Sequence, residues 1–207
     1  MGLEEVLASV GFSSGDAVFL AGHSGFHHKG KSEEELEGLI LKIAKVYDTD
    51  AERVKKAILH FPQFAGYDHE RVVRQATETY HDEDKVKKAI LHFPQFAGLD
   101  HERVVRQKSR IWRWIGLERE EVLELILKRP VLASYAARRD LAVIDLGRQL
   151  VEEGYVFDAK EMLGFYVKHF MKSPYVPESK RRRVSQIEGS EEPPMLKAMR
   201  TYLKNRE

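Results

Sequence analysis

The chain has 207 residues, 43% hydrophobic and 32% charged, a balance that excludes a disordered polymer and allows one sizeable core or one continuous stack of repeats. It has no cysteine, which excludes disulfides and thiolate metal sites and fits a reducing intracellular compartment, either the cytoplasm or an organelle matrix after loss of a transit peptide. The net charge of +1 hides a gradient: residues 1–52 carry 4 basic and 10 acidic side chains and residues 128–207 carry 16 and 11, so positive charge is displaced towards the C-terminal part.

No run of 18 apolar residues is present, so no membrane span is expected, and the opening MGLEEVLASVGF lacks the basic start of a signal peptide. Leu3 to Val10 has a helical pattern stopped by Gly11. Ser13 or Ser14 caps a short helix to Leu20, closed by Gly22, and Gly22 to Gly30 reads as a loop. Ser32 with Glu35 forms a capping box, followed by an apolar stripe of Leu36, Leu39, Ile40 and Ile43.

The next stretch organises the chain. Val54 to Gln75 reads VKKAILHFPQFAGYDHERVVRQ, and 32 residues later Val86 to Gln107 repeats it with a single change, Tyr67 to Leu99. A repeat of this period is the mark of stacked supersecondary units. The spacing predicts a first helix from Thr49 with Val54, Ala57, Ile58 and Phe61 buried, and Pro62 ends it because proline lacks an N–H and restricts Phe61. Phe64 tucks into the core, and Asp68 caps a second helix to about Tyr80 with Val72, Val73, Ala76 and Tyr80 inward. The second copy starts near Asp82 and runs through Pro94, Asp100 and a longer aromatic helix to Gly116.

A third, diverged copy has Val122, Leu125, Ile126, Pro130 and Leu132, then a helix over about 139–152 ended by Gly154. A last helix is expected over about 158–170. The expected fold is therefore an all-α solenoid of stacked helix-turn-helix repeats, curved through to a C-terminal helical cap. Its domain covers 1–172, with repeats at about 10–47, 48–81, 82–116 and 117–155 and a cap at 156–172. Residues 173–207, with Lys180–Arg183 and a Pro193-Pro194 pair, form a basic tail with a short helix near its end.

The segments 52–64 (ERVKKAILHFPQF), 84–96 (DKVKKAILHFPQF) and 120–132 (EEVLELILKRPVL), with a closing stretch 129–155, resemble the mitochondrial transcription termination factor family of mTERF-like helical repeat proteins. The resemblance covers roughly residues 10–170, with fewer repeats than the long members and no proline at Leu141 to Val143. It implies nucleic-acid binding, in transcription, RNA processing or ribosome biogenesis.

The residues point the same way through repeated basic positions. Arg71 and Arg74 recur as Arg103 and Arg106; Lys108, Arg110 and Arg113 extend the second of these helices, and Arg138 and Arg139 start the equivalent helix of the third copy. Stacked second helices would present them as a ladder suited to the regular negative charge of DNA or RNA. The opposing expectation is a plain solvated face on which Glu70 and Glu102 pair with the arginines. Lys55-Lys56 and Lys87-Lys88 read as solubilising lysines on the outer side of the first helices. Trp112 reads as core and Trp114 as a partly exposed contact, in preference to base stacking.

No enzyme is expected. His69-Glu70 and His101-Glu102 open like HExxH, but Val73 and Val105 stand where the second zinc-binding imidazole belongs. His23, His27 and His28 lack a carboxylate or Cys partner, no cofactor motif is present, and the expectation is no cofactor and no metal. The rival function is a protein-interaction scaffold using the same surface or the Trp112/Trp114 region.

Overall fold

The computed structural model describes residues 2–26, 31–113, 117–134, 147 and 149–155. Every regular element among them is helical. Eight α-helices follow in order: α1 (Leu3–Ser9), α2 (Ser14–Gly22), α3 (Glu33–Val46), α4 (Ala51–His60), α5 (His69–Tyr80), α6 (Glu83–His92), α7 (His101–Trp112) and α8 (Arg119–Lys128). Three 3-10 turns, Pro62–Gly66, Pro94–Gly98 and Pro130–Ser134, follow α4, α6 and α8.

Most helices start at a residue whose side chain occupies an orphan backbone donor. Ser13 Oγ accepts from the Asp16 N–H at 3.2 Å, and Ser32 and Glu35 form the reciprocal box, with the Ser32 N–H donating to Glu35 at 2.7 Å. Asp68, Asp82 and Asp100 accept from the N–H three residues on, at 3.1, 2.9 and 3.0 Å. Helix α4 is capped by Asp50, which accepts from Arg53 at 2.7 Å, and not by Thr49: the carboxylate is the stronger acceptor and stands one residue nearer.

The helix ends are set by proline. Phe61 and Phe93 leave the helical region, at φ −149° and −138°, because a following proline crowds that conformation. The Phe64 N–H then donates to the Phe61 carbonyl, and Phe96 to Phe93, both at 2.8 Å, which opens the 3-10 turn. The turn carries Phe64 and Phe96 into the core at 0% exposure. Phe61 and Phe93, expected inside, are only half-buried, since the change of backbone direction swings them to the edge.

Like packs on like. Helix α4 lies against α6 and α6 against α8, and the three proline turns touch in the same order. Between these layers lie Val54, Ala57 and Ile58, then Val86, Ala89 and Ile90, then Val122 and Ile126, all buried. In α8, Leu123 and Leu127 are buried where Leu125 was expected, and Leu125 is half-buried. Helix α3 packs on α4 and α5, and α1 closes the N-terminal end against α2 and α3.

Helix α3 occupies the place of a second helix. It ends at Tyr47, α5 ends at Tyr80, and each tyrosine is followed by a left-handed residue, Asp48 at φ 50° and His81 at φ 59°. The connections then differ by one residue, Thr49, before the next aspartate cap. Lys87 ties this junction to α6: its ammonium donates to Asp48 at 2.7 Å and to Glu83 at 2.8 Å. Lys55 pairs with Glu52 at 2.8 Å and reaches over the Phe12 ring. These two lysines are therefore half-buried ties, while Lys56 and Lys88 are the exposed, solubilising ones.

The chain divides into two compact units, Met1–Ser109 with Glu118–Tyr135, and Arg110–Leu117 with Ala136–Glu207. The first holds the stack just described. In the second, Trp112 and Leu150 are fully buried, and residues 149–152 are helical up to Gly154, whose φ of 88° reverses the chain. Most of the helix expected at 139–152, the cap helix at 158–170, the 172/173 boundary and the tail lie outside the described residues.

Candidate nucleic-acid interface

Helix α5 buries His69, Val73, Ala76 and Tyr80, at i, i+4, i+7 and i+11, and leaves the opposite side to polar residues. Arg71 and Arg74 stand on that polar side and are exposed. The second copy places Arg103 and Arg106 in the same way on α7. Arg110 and Arg113 are exposed as well and belong to the second unit. Among the described residues, none of these six arginines has a carboxylate within 4.0 Å; the ion pairs present belong to Lys55, Lys85 and Lys87. The expected pairing with Glu70 and Glu102 is not formed.

Lys108 leaves the set. It is 2% exposed, because α7 repeats the buried stripe of α5 as His101, Val105, Lys108 and Trp112, and Lys108 stands where the first copy has Ala76. Trp112 takes the place of Tyr80 at the end of the same stripe, which makes it core. Arg138, Arg139, Trp114, His27 and His28 lie outside the described residues.

The arginine pattern has a starting point. With Tyr47 matched to Tyr80, Gly38 and Leu41 of α3 occupy the places of Arg71 and Arg74, and Leu41 is 54% exposed. Helix α3 thus has the place of a second helix and lacks its arginines. The two arginine pairs also differ in their surroundings. Arg74 lines a cleft of about 670 Å³ between the end of α3, α5 and the start of α6, together with Glu70, Glu78, His81, Glu83 and Lys87. Lys87 is bound to Asp48 and Glu83, and Glu70 and Glu78 stand one turn either side of Arg74. In the second copy, Arg110 replaces Glu78 and Arg113 replaces His81.

The histidines dismissed as a broken metal motif have a different role. His69 is buried against Phe64 (ring centroids 4.5 Å apart) and Tyr47, and its Nδ1 lies 2.9 Å from the Tyr47 hydroxyl. His101 is buried in the same way against Phe96 (4.6 Å) and Tyr80 (5.5 Å), but among the described residues neither of its ring nitrogens has a hydrogen-bond partner, and nor does the Tyr80 hydroxyl. Burial pushes both imidazoles down to about 4, opposed at His69 by the Phe64 backbone and then Asp68, and at His101 by Asp100. Each cluster joins the end of one second helix to the turn and second helix of the next copy. The signal was present in the sequence: each histidine is the first member of a buried i, i+4, i+7, i+11 stripe, about 21 residues after a helix-ending tyrosine.

His23 Nδ1 accepts from the Gly25 N–H at 3.0 Å. Among the described residues no group of three His, Cys, Asp or Glu side chains is placed to hold a metal ion, and no helix is long and apolar enough to cross a membrane.

No family model matches the chain, and no curated protein matches it either. The arrangement itself, paired arginines at equivalent places in stacked copies, therefore carries the functional argument.

Proposed function

We propose that the chain is a non-catalytic nucleic-acid-binding repeat protein. Its stacked copies act as a short α-solenoid that grips the phosphate backbone of double-stranded DNA or structured RNA through Arg71, Arg74, Arg103 and Arg106. One observation carries this reading: the same two arginines recur in two copies, exposed and, among the described residues, with no carboxylate partner within 4.0 Å. A guanidinium with five free donors and a permanent charge is suited to phosphate. The resemblance to mTERF-like repeat proteins supports the same conclusion and extends it to a role in transcription or RNA metabolism.

A second reading, a protein-interaction scaffold, is favoured by a different observation. Val18 and Phe19 on α2 and Leu41 on α3 are large apolar side chains that are half or more exposed, all in the acidic N-terminal copy. Fluorescence anisotropy separates the two. Labelled duplex DNA, duplex RNA and single-stranded RNA are titrated with the whole chain at several salt concentrations. Salt-sensitive binding to a duplex supports the first reading. No binding to any of the three at low salt contradicts it and leaves the scaffold.

A further inference from the structure

The two near-identical blocks differ at one position, and the structure gives that position a task. The tip of the Tyr67 ring lies on Gly98 of the next copy: a Cβ built on Gly98 would stand 2.5 Å from the Tyr67 hydroxyl oxygen and 3.3 Å from Cζ. Glycine is what permits this approach. Gly66, the equivalent residue one copy earlier, meets nothing within 4 Å, so that copy makes no such contact. At the following interface the proline turn Pro94–Gly98 again packs on the next turn, Pro130–Ser134. There the residue in the place of Gly98 is Ser134, which has a Cβ, and the residue in the place of Tyr67 is Leu99, which has no hydroxyl and a shorter reach.

We propose that Tyr67 and Gly98 form a lock between adjacent copies, that Leu99 and Ser134 are its matched counterpart at the next interface, and that Tyr67 is a positioning residue for the arginine surface. The second part rests on the nucleic-acid reading. Tyr67 immediately precedes Asp68, the cap of α5, and Gly98 lies two residues before Asp100, the cap of α7. The lock therefore joins the starts of the two helices that carry Arg71 with Arg74 and Arg103 with Arg106. It fixes the separation of the two arginine pairs and hence how many phosphates are met at once. The matched pairs also tell two otherwise identical blocks apart, since a tyrosine facing Ser134 meets a Cβ that Gly98 lacks.

A double-mutant cycle on the whole chain tests the lock without reference to function. Gly98→Ala lowers Tm by roughly 2–5 °C when Tyr67 is present, and raises it slightly in a Tyr67→Leu background, where alanine only stiffens the unfolded chain. Leu99→Tyr lowers Tm, and adding Ser134→Gly restores it. Additive effects in both pairs overturn the lock. Anisotropy with duplex DNA or RNA tests the positioning. Tyr67→Leu keeps all the arginines, yet the slope of log K against log salt becomes shallower by about 1. A folded Tyr67→Leu protein with unchanged affinity and slope overturns the positioning role. If the unmodified chain binds no nucleic acid, the positioning role falls with the function, while the thermal cycle still judges the lock.

Discussion

At the scale of single residues, the buried histidines make stability depend on pH. Both His69 and His101 are held neutral, with values lowered from 6.5 to about 4, so the unfolded chain binds more protons in that interval. Their contribution is complete above pH 6.5 and is lost as the pH falls towards 4, by up to about 3 kcal/mol per ring. Urea denaturation at pH 7 and pH 5 should show the drop. His101 has the simpler environment, with no hydrogen bond to lose, and the N-terminal copy carries Leu36 at the same place. His101→Leu should therefore leave stability at pH 7 close to that of the parent and reduce the loss at pH 5. His69→Leu strands the Tyr47 hydroxyl and should cost about 1 kcal/mol at pH 7. An unchanged pH profile in His101→Leu would contradict the account of that ring.

At the scale of elements, four aspartates in equivalent places begin α4, α5, α6 and α7. Replacing any of them by alanine should cost about 1 kcal/mol in chemical denaturation. Asp68 and Asp100 sit three residues before Arg71 and Arg103, so their loss should also weaken polyanion binding by fraying the turn that presents the arginines. The cleft beside Arg74 gives a prediction of opposite sign. Glu78→Arg gives the first copy the residue that the second carries as Arg110, and it should strengthen duplex binding and steepen its salt dependence by about 1. Unchanged binding would place Arg74 outside the contact surface.

Much of this level was legible in the sequence, because caps, prolines and apolar periodicity are local. Ser13, Ser32, Asp68 and Asp82 act as their patterns suggest, and Phe64 and Phe96 enter the core as expected. What the sequence concealed was tertiary. Lys108 carries the charge of a surface residue in the buried stripe of α7, and only alignment with Ala76 betrays it. Lys55 and Lys87 look like solubilising charges, and their inward turn depends on Phe12 and Asp48 from elsewhere in the chain. His69 and His101 fail as a metal motif, and their place in the stripe shows only when that stripe is read through to Tyr80 and Trp112.

At the scale of the whole molecule, one plan is used with three surface chemistries. The N-terminal segment is acidic, with Gly38 and Leu41 where arginines stand later; the next has two arginines, of which Arg74 shares a cleft with Glu70 and Glu78; and the one after has the same two with further basic residues following in sequence. The packed positions match between the two near-identical blocks while the polar positions that follow them differ, as expected where packing constrains a side chain and solvent does not. Positive charge is thus graded along the chain, and a polyanion should engage Arg103 and Arg106 more strongly than Arg71 and Arg74.

The most direct measurement compares the unmodified chain with a variant carrying Arg71→Gln, Arg74→Gln, Arg103→Gln and Arg106→Gln. Both are titrated against the same labelled duplex over a range of salt concentrations, after circular dichroism has shown equal helix content. The account predicts that log K falls with log salt for the parent and that the variant binds more weakly, with a slope shallower by roughly 3 to 4. Equal affinity and equal slope in the two proteins would contradict it.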